Sequence, residues 1–148
     1  MFRHILFPTD GTELSRKAET AAIGLAKTLG ARLTAIHSFE PYIPQLADLT
    51  LVYGEPVLLD EYQKIARKAS ADILARCAAD ASAAGVPCNT LSIVASAPWE
   101  AIVKAAAENG CDLIVMASHG RHGIAGVLLG SETQKVLTQS SIPVLVYR

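Results

Sequence analysis

Cysteine is scarce in this sequence, and long hydrophobic runs are absent. The 148 residues include three cysteines, and Cys77, Cys88 and Cys111 show no CxxC spacing. Neither a disulfide framework nor a zinc knuckle is therefore indicated. The N-terminal apolar run ends at Pro8, far short of a signal peptide or of the ~20 residues of a membrane-spanning helix. We therefore expect a cytoplasmic protein with reduced thiols and no membrane association.

An excess of charge of either sign is also lacking. The formal net charge is −1, from 13 basic and 14 acidic residues, so no basic surplus exists to neutralise the phosphates of a nucleic acid. Hydrophobic residues, in contrast, make up 51% of the chain, which excludes an intrinsically disordered protein. The length is that of one ordinary domain, and we expect residues 1–148 to form a single domain.

The hydrophobic pattern alternates between short apolar runs and longer stretches of helical periodicity. The short runs predict five β-strands, at residues 4–8, 32–39, 89–94, 112–118 and 143–147. Four of them are nearly continuous in apolar residues, as strands covered on both faces should be, whereas the third alternates with polar residues and is predicted at a sheet edge. Because strands that alternate with helices form βαβ units, the sequence predicts a three-layer α/β sandwich around a parallel sheet.

Apolar stripes and capping residues define the predicted helices. Gly30, Gly85 and Gly110 follow helical patterns, where a left-handed residue is expected. Ser131 and Gln134 have the spacing of a capping box at the start of the last helix. The stripe predicted to bury the second helix comprises Tyr62, Ile65, Ala69, Ile73 and Cys77. The proline-rich residues 39–57 fit no periodic pattern and predict a long loop of the kind that is functional or mobile.

Polar and glycine residues follow two of the predicted strands. Asp10 follows the first, and a stretch with glycines from Gly120 to Gly130 follows the fourth and leads into Ser131. Ligands of open α/β sheets bind at the carboxyl ends of strands, and glycines let backbone N–H groups approach an anion closely. Ser131 adds a hydroxyl at the positive end of a helix. The pattern favours a phosphate site; ordinary turns and helix caps are the alternative interpretation of the same residues.

The familiar nucleotide signatures are absent from the sequence. There is no GxxxxGK(S/T) motif, and no GxGxxG follows the first strand, which excludes P-loop proteins and dinucleotide-binding Rossmann proteins. A phospho-receiver domain would need several acidic residues at strand ends, and Asp10 stands alone there.

Both ends of the chain resemble the universal stress protein family. The resemblance is carried by the segments HILFPTDGTELSRKAETAAIGLAKTLGARLTAIHSFEP and DLIVMASHGRHGIAGVLLGSETQKVLTQSSIPVLVYR, and it extends over essentially the whole chain. Nucleotide-binding members of the family have the pattern G-x2-G-x9-G-(S/T) in the second segment. Gly120, Gly130 and Ser131 match this pattern, and Ala117 stands where its first glycine would be.

The resemblance implies a Rossmann-like fold with an adenine nucleotide as its ligand. It implies a sheet in the order 3-2-1-4-5 with about four helices on its two faces, ATP as the nucleotide, with Mg²⁺ or Mn²⁺, and a homodimer formed through the final strand at the sheet edge. Asp10 should contact adenine or ribose, the loop from Ala117 to Arg121 should pass the ribose and phosphates, and Gly130 and Ser131 should hold the phosphates. The implied contact residues are Pro8, Thr9, Asp10, Ala117, Ser118, His119, Gly120, Arg121, Gly123, Gly130, Ser131, Glu132 and Thr133.

None of the polar residues in these loops is predicted to be catalytic or to bind a metal. His119 and His122 lack a third metal ligand. Ser118 directly precedes His119, and adjacent residues are not expected to place a hydroxyl against an imidazole. Glu132 is expected to complement the dipole of its own helix. No positioned general base and no NTPase lysine is recognisable.

The sequence leaves three functions open. The favoured one is an ATP-binding stress-response or signalling module, which acts through nucleotide-dependent conformation or through an unidentified protein partner. The second is a slow ATP-hydrolysing or adenylyl-transferring enzyme of similar fold, which the lack of an acid/base pair disfavours. The third is a nucleotide-free dimeric interaction module, which the presence of Gly120, Gly130 and Ser131 disfavours.

Overall fold

The computed structural model describes residues 1–41, 57–119 and 129–148. Strands and helices alternate along the described chain, as the hydrophobic pattern predicts. The elements are β1 (His4–Pro8), α1 (Glu13–Leu29), β2 (Arg32–Phe39), α2 (Val57–Ala83), β3 (Cys88–Val94), α3 (Pro98–Glu108), β4 (Leu113–Ala117), α4 (Ser131–Gln139) and β5 (Val144–Tyr147). No helix in these ranges combines the length and the apolar character needed to cross a bilayer.

The five described strands form one parallel sheet in the order β3-β2-β1-β4-β5, which confirms the order that the family resemblance implies. β1 pairs with β2 on one side and with β4 on the other, so the strand order reverses beside β1. β3 lies at an edge, as its alternating pattern predicts: none of its residues is fully buried, and half-buried residues alternate with exposed ones. β5 forms the opposite edge.

Alternate side chains of the central strands enter two separate hydrophobic clusters, one on each face of the sheet. Ile5 and Phe7 of β1 pack with α1 and α2 on one face, whereas Leu6 of β1 and Ile114 of β4 pack with α3 and α4 on the other. Both faces are therefore covered by helices, and the three-layer sandwich is confirmed. Gly30, which ends α1, has a φ of 64°, the left-handed conformation expected of it.

The prediction that one apolar stripe buries α2 is wrong for the first half of the helix. Tyr62 is 43% and Ile65 69% exposed. The residues that α2 buries against the sheet are Ser70, Leu74, Cys77 and Ala81. Because the hydroxyl of Ser70 is satisfied by hydrogen bonds across to β2 and β3, a polar side chain occupies a position where hydrophobic periodicity predicts none.

The final strand is also less covered than its sequence predicts. Its apolar run suggests burial on both faces, but Leu145 is 41% exposed and no residue of β5 is fully buried. The edge position of β5 explains the difference, since only β4 pairs with it in the described structure.

Candidate functional site

A cavity of about 400 Å³ opens at the carboxyl ends of β1, β2 and β4. It lies beside β1, where the strand order reverses and where open α/β sheets bind their ligands. The first turns of α1, α3 and α4 contribute Ser15, Pro98 and Ser131 to its wall. Three helices thus direct their positive N-terminal ends toward a cavity of the size that small-molecule sites have.

Most of the residues predicted to contact a nucleotide lie around this cavity. Those that line it are Pro8, Thr9, Asp10, Ala117, His119, Gly130, Ser131, Glu132 and Thr133. Ser118 lies behind the wall and is 1% exposed. Gly120, Arg121 and Gly123 lie outside the described residues. The ends of the first and fourth strands therefore form one site, together with the start of the last helix.

The turn between β1 and α1 holds the carboxylate of Asp10 at the edge of the cavity. Its Oδ1 accepts hydrogen bonds from the backbone N–H of Thr12 at 3.0 Å and from the Thr12 hydroxyl at 2.7 Å. Thr12 in turn caps α1 by accepting from the N–H of Ser15, so the cap is Thr12 and not Asp10. Gly11 has a φ of 75°, and a β-carbon there would lie 2.9 Å from Cδ1 of Ile73. Only glycine fits this turn without strain.

The start of α4 is joined to the end of β4 by two hydrogen bonds. The hydroxyl of Thr133 donates to the carbonyl of Ala117 at 3.1 Å, and the N–H of Gly130 donates to the carbonyl of Ser118 at 2.8 Å. Gly130 is the N-cap residue and no described side chain caps the helix. Ser131 is the first helical residue, so the predicted capping box is wrong. The cap has no side chain of its own, which suits a helix end that faces an anion.

Ala117 occupies the position of the missing glycine without backbone strain. It is the last residue of β4, paired with Tyr147 of β5, and it is 8% exposed. Positive φ angles occur among the described residues only at glycines, namely Gly11, Gly30, Gly85 and Gly110. The Ala117 methyl therefore adds bulk to the cavity wall but costs no conformational energy.

Ser118 and His119 do form a hydrogen bond, contrary to the prediction. The Ser118 hydroxyl lies 3.1 Å from Nδ1 of His119. Successive side chains of a strand point to opposite faces of the sheet, but β4 ends at Ala117. The next two side chains can therefore point toward each other. Ser118 is buried while His119 lines the cavity. The hydroxyl therefore orients the imidazole and does not face the cavity as a nucleophile.

The end of β2 contributes cavity residues that the sequence analysis missed. His37, Ser38 and Glu40 line the cavity beside Tyr62 of α2. Nδ1 of His37 lies 2.9 Å from the hydroxyl of Ser70, and this bond fixes the imidazole plane. The polar residues at the end of the second apolar run were a usable signal, because β2 neighbours β1 in the implied strand order.

Carboxylates dominate the charge of the described cavity wall. Asp10, Glu40 and Glu132 line it, and the described lining residues include no lysine or arginine. Glu132 lies in the first turn of α4, where it complements the dipole of its own helix as expected. Its Oε2 also accepts a hydrogen bond of 2.8 Å from the N–H of Trp99, in the first turn of α3.

The model of the universal stress protein family matches residues 1–148. The chain belongs to this family. A universal stress protein of Thermus aquaticus is 33% identical over 149 residues, which cover 100% of both chains. Among solved structures, the protein MJ0577 of Methanocaldococcus jannaschii superposes with a TM-score of 0.81 at 25% identity, over 99% of this chain and 95% of the other. A universal stress protein solved in complex with cAMP has a TM-score of 0.69 at 26% identity, over 99% and 97%.

The site geometry of this universal stress protein suits an adenine nucleotide. The cavity is large enough for a small ligand, and Gly130 forms part of its wall. Gly130 packs so closely against His119 that a β-carbon on it would lie 3.1 Å from that residue. Ser131 and Thr133 stand in the first turn of α4, a helix end of the kind that can bind an anion. Asp10, on the other side of the switch point, offers a hydrogen-bond acceptor for hydroxyl or amino groups.

Proposed function

We propose that this universal stress protein binds ATP, together with Mg²⁺ or Mn²⁺, in the cavity between the ends of β1 and β4. The observation that carries the proposal is the meeting of Asp10 with the uncapped first turn of α4 at Gly130 and Ser131. Asp10 contacts the adenosine end of the ligand, and Gly130 and Ser131 receive the phosphates. The relative in complex with cAMP supports an adenine nucleotide as the ligand class.

The divalent cation enters this site with the phosphates. Within the described ranges, no three His, Cys, Asp or Glu side chains come together in a way that could hold a metal ion. A cation bound to phosphate oxygens needs few protein ligands, as Mg²⁺ typically does. Its positive charge would lie close to the carboxylates of the wall, which favours its uptake with the nucleotide.

We further propose that the nucleotide acts through conformation or partner choice, in a stress response within the cytoplasm. Ser118 links the ligand site to the sheet edge, because its carbonyl accepts from Gly130 and its N–H donates to the carbonyl of Tyr147 at 2.7 Å. A phosphate at Gly130 is therefore two hydrogen bonds from β5. The half-exposed β5 is the surface through which a homodimer of the single domain 1–148 would form.

Calorimetric titration tests the nucleotide assignment. We expect purified protein to bind ATP with Mg²⁺ at one site per chain. Asp10→Ala should weaken ATP binding. Asp112→Ala serves as the control, since Asp112 lies at the opposite, amino-terminal end of β4 and accepts from the N–H groups of Arg3 and His4. Absence of ATP binding by the folded wild type would refute the proposal.

A further inference from the structure

Glu132 lines the cavity, but the proposed binding mode gives its carboxylate no role. It directly follows Ser131 in the first turn of α4, and its side chain is 37% exposed. One carboxylate oxygen, Oε2, accepts from the N–H of Trp99 at 2.8 Å. The other, Oε1, lies 3.2 Å from Nζ of Lys135. The carboxylate is therefore held in place between two helices.

The carboxylate of Glu132 occupies the anion position at the start of α3. The N-cap residue of α3 is Ala97, which offers no side-chain cap, and Pro98 at the next position has no N–H to donate. Trp99 therefore carries the first orphan N–H of this helix, and Glu132 satisfies it from α4. One of the helix ends that face the cavity is thus already neutralised by an anion of the chain itself.

A phosphate at Ser131 would lie beside this fixed negative charge. Asp10 and Glu40 add two more carboxylates to the described wall. Each further negative charge on a phosphate chain adds repulsion from Glu132, and in a partly dehydrated cavity this repulsion is larger than in water. Lys135 offsets part of it.

We propose that Glu132 is a specificity-determining residue that selects against free polyphosphate. It makes the binding of ATP depend on a divalent cation and leaves nucleotides with a single phosphate much less affected. The inference rests on the proposed function, because it requires the phosphates to lie at Gly130 and Ser131. The mechanism is the charge of the Glu132 carboxylate, and its hydrogen bond to Trp99 is separate from that charge.

Glu132→Gln tests the inference, because glutamine keeps a carbonyl oxygen for the N–H of Trp99 but carries no charge. Titration calorimetry is run with ATP and with AMP in EDTA, and with ATP in Mg²⁺. In EDTA we expect the variant to bind ATP about tenfold more tightly than the wild type does, or ~1.4 kcal/mol. Binding of AMP, and of ATP in Mg²⁺, should tighten no more than about threefold.

Two matched variants separate the charge from other effects. Glu100→Gln makes the same charge change in the first turn of α3, at an exposed residue that does not line the cavity, and should leave all three affinities unchanged. Glu132→Asp keeps the charge and should keep the wild-type ratio of ATP to AMP affinity. The wild type alone provides a further test, in which its affinities for ATP and AMP are compared in Mg²⁺ and in EDTA. Mg²⁺ should raise the affinity for ATP about tenfold and that for AMP hardly at all.

Equal tightening for AMP and ATP, an unchanged affinity for ATP, or weaker ATP binding in Glu132→Gln would each overturn the role of Glu132 while leaving the nucleotide site intact. A wild-type affinity for ATP that is the same in EDTA and in Mg²⁺ would do so as well. If neither the wild type nor any variant binds an adenine nucleotide under any of these conditions, the proposed function fails and the role of Glu132 fails with it.

Discussion

Gly130 and His119 approach each other so closely that a β-carbon on Gly130 would lie 3.1 Å from both Cα and Cβ of His119. The φ of Gly130 is −68°, which any residue adopts, so the position needs glycine for space and not for conformation. The same residue donates to the carbonyl of Ser118. The glycine therefore sets how near the first turn of α4 comes to the end of β4, and with it the shape of the cavity.

Gly130→Val should weaken ATP binding at least tenfold, or about 1.4 kcal/mol. The added side chain pushes His119 away and blocks the close approach of the backbone to a phosphate. Gly24→Val is the control, since Gly24 lies on α1 with no atom within 4 Å of its added β-carbon. Calorimetric titration of both folded variants checks this. Near wild-type affinity in Gly130→Val would show that the phosphates do not lie at Gly130.

Ala117→Gly should leave the affinity for ATP within a few-fold of the wild type, or improve it. The backbone of Ala117 is an ordinary strand residue and its methyl is nearly buried in the wall, so removing the methyl changes only the space available. Equilibrium dialysis with labelled ATP on both proteins is the measurement. If the variant binds ATP and the wild type shows no binding, Ala117 has abolished the site and the proposed function is wrong.

Leu145→Lys should shift the protein from dimer to monomer. Leu145 is 41% exposed on the edge strand β5, so a lysine costs the folded monomer little but places two like charges in a symmetric interface. Ile65→Lys is the control, because Ile65 is 69% exposed on α2. This helix packs against β2 and β3, at the edge of the sheet opposite β5. Light scattering at micromolar concentration should report a dimer for this control. A monomeric wild type or a fully dimeric Leu145→Lys would contradict the β5 interface.

Glu19→Gln should raise the thermal stability at neutral pH but not below pH 4. Burial, followed by the hydrogen bond and charge of Asp80, raises the pKa of Glu19 above its ordinary 4.5, although Arg76 opposes the shift. An acid whose pKa is higher in the folded state destabilises the fold as pH rises above 4.5 through the folded value, and the loss persists above it. Glutamine removes this loss, and a gain of a few degrees corresponds to ~1 kcal/mol.

The matched control for Glu19 is Glu13→Gln on the same helix. The Glu13 side chain is 87% exposed and pairs with Lys17 at the surface, so removing its charge should change the midpoint by less than about one degree. Thermal unfolding at pH 4 and at pH 7 distinguishes the two variants. A Glu19→Gln protein that is less stable than the wild type at pH 7 would show that the charged form of Glu19 is favoured by the fold.

The strands were predictable because their burial follows from backbone periodicity, whereas their order was implied by the family resemblance. Ile5, Leu6 and Phe7 enter opposite clusters in alternation, as a strand covered on both faces requires. The buried stripe of α2 was not predictable in the same way. Ser70 of α2 can be fully buried because its hydroxyl forms hydrogen bonds with side chains of β2 and β3. Hydropathy carries no information about such partners, which are distant in the sequence.

The candidate site shows the same division. Asp10, Gly130 and Ser131 could be predicted because the ends of strands and the starts of helices can be recognised from neighbouring residues in the sequence. The Trp99 contact of Glu132 could not, because it depends on which elements become neighbours. His37 carried a usable signal at the polar end of β2, but the sequence does not show its bond to Ser70 of α2. The Ser118–His119 hydrogen bond was not expected of adjacent residues, and it forms because both residues lie just beyond the end of β4 at Ala117.

The position of a bound nucleotide decides whether this cavity is the ATP site. In a crystal structure of the wild-type protein grown with ATP and Mg²⁺, we predict electron density for one nucleotide between the carboxyl ends of β1 and β4, with phosphates against Gly130 and Ser131 and the adenosine end beside Asp10. An empty cavity at a saturating ATP concentration, or a nucleotide bound at another surface, would show that the cavity between β1 and β4 is not the ATP site.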